Sequence, residues 1–190
     1  MHRTGAGGAD VRTATLVIVA YLLCVVVGAV WRLLPIGFLH DGVPEIGALT
    51  AAYLGLTARR GVAPAVGGSV VLGYLVDLIS GGPPGLMALV LGLTGLVARA
   101  VQQRILVRGA VMTMAFSAFV ALVASVLALI VRVVYHMPRG AFATELQHIA
   151  LITVATAVIG PLVWRVFRRI DAAFARTHRE RDAALEGLAP

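Results

Sequence analysis

From Ala14 to Trp31, Gly61 to Val76, Gly109 to Val131 and Leu146 to Trp164 the chain carries no charged residue. Each run approaches the roughly 20 residues that an α-helix needs to cross the hydrocarbon core of a bilayer. A soluble domain of 190 residues needs a polar shell. Here only 13% of residues are charged and the mean hydropathy is +0.93. The sequence therefore predicts an all-α, polytopic integral membrane protein.

Six segments can be placed, at about 14–34, 45–58, 61–79, 86–103, 109–135 and 147–168. They divide the chain into an N-terminal segment 1–13, a compact six-helix transmembrane domain 14–168 and a C-terminal tail 169–190. The second segment is the shortest. The uncharged stretch between Glu45 and Arg59 would rise only about 20 Å as a helix, so a re-entrant or core-buried helix is the alternative to a crossing.

Charge placement favours the crossing. All 16 basic residues are arginine. With six spans and a cytoplasmic N-terminus, Arg3, Arg12, Arg59, Arg60, Arg99, Arg104, Arg108, Arg165, Arg168, Arg169, Arg176, Arg179 and Arg181 fall inside. Only Arg32, Arg132 and Arg139 fall outside, a strong positive-inside pattern that sets both termini in the cytoplasm. The arginines form no continuous basic face, which argues against nucleic acid as a partner despite the net charge of +7. The first apolar run exceeds the core of a secretory signal and is followed by further spans, so an uncleaved first helix is expected.

Small residues recur at helix-packing intervals. Gly47, Ala51 and Gly55 share a face of the second segment, Ala63 and Gly67 recur in the third, and Ala88 and Gly92 in the fourth. Lipid tails are as apolar as leucine, so close backbone approach at such stripes is what holds membrane helices together. Beyond Arg165 the pattern changes. Phe167, Ile170 and Phe174 recur at helical spacing while Arg165, Arg168, Arg169 and Arg176 face elsewhere, as in a helix continuing along the cytoplasmic surface. From Thr177 the chain is charged and mixed in sign, and fraying is expected there.

No constellation for catalysis stands out. His2, His40, His136, His148 and His178 are dispersed without metal-ligand spacing, and Cys24 is the only cysteine. Gly81-Gly82-Pro83-Pro84-Gly85 is glycine-rich, but its prolines remove the donors that a phosphate cradle needs, so it reads as a tight turn. No catalytic residue, metal ligand or cofactor is expected.

Asp77 is the residue that demands an explanation. It stands near the end of the third segment, the only charge between Arg60 and Arg99. At a helix C-terminus the macrodipole disfavours an anion. Arg32 and Arg132 lie at matching depth in this topology, so an interhelical ion pair with one of them is the expectation. The alternative is that Asp77 reaches headgroup water unaided.

Two local patterns carry a resemblance to a known family. Pro44-Glu45 opens the second segment and leads to Arg59-Arg60. Gly73 precedes Asp77 by four residues, followed by the turn Ser80-Gly81-Gly82 and the restart Pro84-Gly85-Leu86. Together with length and six spans, these resemble the rod shape-determining protein MreD. The match is strongest from Gly42 to Leu96. Glu45 stands where that family often has aspartate, and Gly67-Gly68 lacks the aromatic that commonly precedes a glycine there.

The resemblance implies a non-enzymatic scaffold of the bacterial cytoplasmic membrane, involved in cell shape and peptidoglycan synthesis. Its implied partner is an MreC-like bitopic protein and, through it, a RodA-type glycosyltransferase, the cognate penicillin-binding transpeptidase and MreB filaments. The family is also similar in architecture to the substrate-binding subunits of energy-coupling-factor vitamin transporters. A small-molecule uptake subunit is thus the alternative. Such a subunit needs a pocket with convergent polar and aromatic groups, and only 6% of these residues are aromatic.

Overall fold

The structure, a computed structural model, describes residues 6–33, 42–57, 62–81, 83–102, 109–137 and 140–186. Arg3, His2, His40, Arg59, Arg60, Gly82, Arg104, Arg108 and Arg139 lie outside the described residues, as do the side chains of Arg179 and Arg181. Six helices follow in order: α1 (Ala6–Leu33), α2 (Ile46–Thr57), α3 (Val62–Ser80), α4 (Leu86–Gln102), α5 (Ala110–Val134) and α6 (Phe142–Glu186).

Three of them contain stretches long and apolar enough to cross a membrane: Val11–Leu33, Ala110–Val134 and Phe142–Arg176. Their outward faces are apolar as well. Ile18, Leu22 and Val26 on α1, Leu122 and Ile130 on α5, and Val154, Val158 and Leu162 on α6 are all exposed. A continuous exposed aliphatic surface of this kind suits lipid and would be insoluble in water. This is a membrane protein.

The core is shared by all six helices. Leu16, Leu49, Leu72, Leu91, Val120 and Phe167, one from each, are fully buried. In α5 the buried positions Thr113, Phe116, Ser117, Val120, Ala124 and Val131 fall on one helical stripe, with the opposite face free for lipid. α2 differs: every residue from Ile46 to Gly55 is buried. A helix apolar all round and enclosed by protein need not match the bilayer in length, because its ends meet side chains instead of lipid.

Close backbone approach ties this central helix to its neighbours. A Cβ on Gly55 would come within 2.5 Å of the Gly95 carbonyl oxygen on α4, and one on Gly47 would meet Leu91 at 3.0 Å. Gly92 faces Val70 of α3 at a similar distance. Ala51 and Ala88 are buried in the same layer. Ala63 and Gly67 do not belong to it. Both are exposed, and a Cβ on Gly67 would meet nothing within 4 Å. The face of α3 that packs is instead Ser69, Gly73 and Asp77, spaced by four. Spacing alone cannot tell which of two small-residue faces meets a neighbour.

The last helix continues beyond Arg165 through Phe167, Ile170 and Phe174, as their spacing suggests, and where the sequence reading expects fraying from Thr177 α6 runs on to Glu186. Phe167 is fully buried and Ile170 packs against the core, while Arg165, Arg168, Arg169 and Arg176 are exposed.

Candidate functional site

Alternation of the six helices brings the ends of α1, α3 and α5 together with the beginnings of α2, α4 and α6. Asp77, at the end of α3, lies in this assembly and is 4% exposed. It forms no ion pair with Arg32 or Arg132. Its carboxylate instead accepts backbone hydrogen bonds from Gly85 (2.9 Å), Met87 (3.0 and 3.1 Å) and Ala88 (3.4 Å). These are donors of the α4 N-terminus that have no partner within their own helix.

The expected pair fails for a physical reason. The sequence places Asp77 at the unfavourable C-terminal end of α3, but folding sets it against the favourable N-terminal dipole of α4. The Gly/Pro turn makes that possible. Gly81 and Gly85 have φ of 64° and 97°, conformations that L side chains rarely adopt, and they fold the chain back so that α4 begins beside Asp77.

Next to this cap is a cavity of about 630 Å³. Cys24, Gly28 and Arg32 of α1 line one side, and Ser125, Ala128 and Arg132 of α5 another. Val76 and Ser80 come from α3, Met87 and Leu91 from α4, and Glu145, His148 and Ile152 from α6. Val43, Pro44 and Glu45, just before α2, and Gly47 within it also line the cavity.

The depth of Glu45 follows from its partner. Its backbone N–H donates to Thr156 Oγ1 of α6 at 3.0 Å, and that hydroxyl in turn donates to the Ile152 carbonyl. Thr156 lies eleven residues beyond Glu145 on the same helix, about 16 Å along the axis. Gly42 packs on Leu151, one and a half turns before Thr156. The non-helical segment Gly42–Glu45 thus descends along α6 into the bundle, and α2 starts well below the rim. Irregular backbone at such depth is tolerated where protein covers it or where it lines a cavity. Both conditions hold here.

Among the described residues the one ion pair lies elsewhere. Arg32, Arg132, Glu45, Glu145 and His148 all line the cavity, yet none of their side chains makes a hydrogen bond or salt bridge to another described residue there. Arg132 is near enough for its charge to act on Glu45 without pairing with it. Ser125 is 7% exposed, and its Oγ is buried without a hydrogen-bond partner. Charged groups of both signs thus converge on this space.

The ion pair is at the opposite end of the bundle. Arg12 of α1 donates from Nε and Nη2 to the two oxygens of Asp171 on α6, at 2.7 and 2.6 Å. Tyr53 of α2 donates its hydroxyl to the same carboxylate at 2.5 Å. Around it Tyr53 packs edge-on against Trp164 (5.3 Å between centroids) and against Phe167 (5.2 Å), and Phe116 of α5 meets Trp164 at 5.8 Å. The bidentate geometry fixes α1, α2 and α6 at one depth.

The sequence reading missed this triad, although a signal existed. Asp171 follows Phe167 by four and precedes Phe174 by three, so it is an acid on the apolar face of α6. Asp171→Asn is expected to lower stability by about 2 kcal/mol, because it leaves the half-buried Arg12 without its carboxylate. Tyr53→Phe should cost about 1 kcal/mol. Unfolding in mixed micelles measures both, and an unchanged midpoint for Asp171→Asn would show that the triad does not hold the helices together.

The described parts of the two patterns singled out in the sequence meet at the cavity end, while Arg59-Arg60 of the first lies outside the described residues. Pro44 and Glu45 line the cavity directly. Gly73, Asp77, Gly81, Pro84, Gly85 and Leu86 build the α3–α4 connection beside it, and Val76, Ser80 and Met87 from that connection reach the lining. No protein family, curated protein or solved structure matches this chain.

Proposed function

We propose that the chain is a non-enzymatic scaffold of the bacterial elongation machinery, seated in the cytoplasmic membrane and acting with an MreC-like bitopic partner in cell-shape maintenance and peptidoglycan synthesis. One observation carries the reading. The Pro44-Glu45 pattern and the Gly73 to Leu86 pattern, which bear the resemblance to MreD, are far apart in sequence and converge on one end of the bundle. In this reading the chain crosses six times with both termini cytoplasmic, following its arginine asymmetry. The cavity end then faces outward and the Arg12–Asp171–Tyr53 triad faces the cytoplasm. RodA-type glycosyltransferase, its transpeptidase and MreB filaments are reached through the bitopic partner.

The cavity itself favours a second reading, a substrate-binding subunit of an energy-coupling-factor type transporter. Such sites in proteins are concave and combine apolar walls with a few convergent polar groups. Affinity purification of the full chain in mild detergent separates the two. The scaffold reading expects an MreC-like bitopic protein in the eluate. Recovery of transporter ATPases without any elongation protein would replace it with the second reading.

A further inference from the structure

We propose that the cavity holds the head of a zwitterionic phospholipid, with its phosphate against Arg32 and Arg132 and its ammonium against Glu45 and Glu145. The inference does not depend on the scaffold reading.

Three features of the site select this chemistry. First, its cations are both arginines, whose planar donor forks match phosphate oxygens in pairs. The N-terminus of α2 opens into the same space and adds partial positive charge. Second, the carboxyl groups of Glu45 and Glu145 line the same walls. A purely anionic guest would satisfy the arginines and bring a like charge against both acids. A purely cationic one would do the reverse. Only a guest carrying both signs complements all four groups at once.

Third, the remaining walls are aliphatic. Val25, Val76, Ile79, Leu91, Leu129 and Ile149 contribute, and the described residues that line the cavity include no Phe, Tyr or Trp, with the His148 imidazole as their one ring. Among these residues an aromatic or heterocyclic guest would find only the His148 imidazole to stack on, whereas acyl chains pack well against aliphatic walls. The volume of about 630 Å³ suits a head group with the first part of its chains. A membrane protein has such a molecule at hand in the bilayer.

The phosphate and ammonium pair also occurs on water-soluble phosphodiesters, so the test includes both sources. Full-length protein in mild detergent is mixed with equimolar phosphatidylethanolamine, phosphatidylglycerol and diacylglycerol, and bound species are counted by native mass spectrometry. Glycerophosphoethanolamine is added in a parallel sample. One phosphatidylethanolamine per chain is expected, preferred about tenfold over phosphatidylglycerol. The variant Arg32→Gln with Arg132→Gln should lose that preference together with most of the binding. Glu45→Gln should lose the preference while still retaining phosphatidylglycerol.

Glu145 is only partly buried, so Glu145→Gln serves as the second acid variant if Glu45→Gln fails to fold, and it too should lose the preference while retaining phosphatidylglycerol. Equal retention of the two phospholipids, or undiminished retention by the double arginine variant, overturns the proposal. Competition by glycerophosphoethanolamine at the same affinity as the lipid overturns the bilayer as the source. Probing each eluate for the bitopic partner keeps the scaffold reading separately testable, since either result can fail alone.

Discussion

Gly73→Ala is expected to cost about 3 kcal/mol or more and to leave little folded protein after extraction. The position has no room for a methyl group. A Cβ there would lie 2.5 Å from Ala88 Cα and 2.6 Å from Ala88 N, which are backbone atoms of α4 that no rotamer change can move aside. To admit it, α3 and α4 must separate along the face where they pack, and in lipid no hydrophobic gain repays the lost contact. Separation also withdraws Asp77 from its three donors one turn further along α3. Gly67→Ala is the matched control. It lies in the same helix with nothing within 4 Å, and alanine is the better helix former by up to about 1 kcal/mol. Unfolding midpoints in mixed micelles check the pair. Equal midpoints for Gly73→Ala and Gly67→Ala would mean that the α3–α4 contact is not as close as described.

The second large effect is at Asp77. Asp77→Ala should cost about 3 kcal/mol, because it removes charge-assisted hydrogen bonds and leaves the N–H groups of half-buried Gly85 and Met87 and of buried Ala88 without this acceptor. Asp77→Asn keeps one acceptor oxygen but turns an amide donor toward the remaining N–H groups, so about half that loss is expected. Arg32→Gln and Arg132→Gln should leave the midpoint within about 0.5 kcal/mol of the unsubstituted chain, since neither arginine is bound to Asp77. This contrast decides between the helix cap and the interhelical pair that the sequence suggested. Amide exchange in the first turn of α4 offers an independent readout. Unchanged protection there in Asp77→Ala would exclude the cap.

The contrast also shows where sequence reasoning stops. That Asp77 needs a partner was legible, because an acid inside an apolar stretch is costly wherever the chain puts it. The partner's identity was not. Matching depth made Arg32 and Arg132 natural candidates, but the connection through Gly81 and Gly85 turns α4 so that its free N–H groups arrive first. Small-residue stripes behaved alike. Gly47, Gly55 and Gly92 face close neighbours and Gly67 faces none, although all of them share the same spacing signal. Asp171 was hidden among the arginines of its own helix, and only its place on the Phe167 face marked it as inward.

What the sequence determined by itself is the solvent and the scaffold. Uncharged runs approaching the thickness of a bilayer demand helices, since a backbone without water must satisfy its hydrogen bonds within each segment. The periodic apolar faces of α5 and α6 follow from the same residues. What only the tertiary structure decided is which polar groups meet. Glu45 reaches its depth because Gly42–Glu45 descends along α6 to Thr156. The cavity is lined by residues from all six helices, which bring Arg32, Arg132, Glu45 and Glu145 to one space. Apolar burial is additive along a chain and can be read locally. A polar contact depends on two atoms distant in sequence arriving within about 3 Å with the right direction, and only the packed bundle sets that geometry.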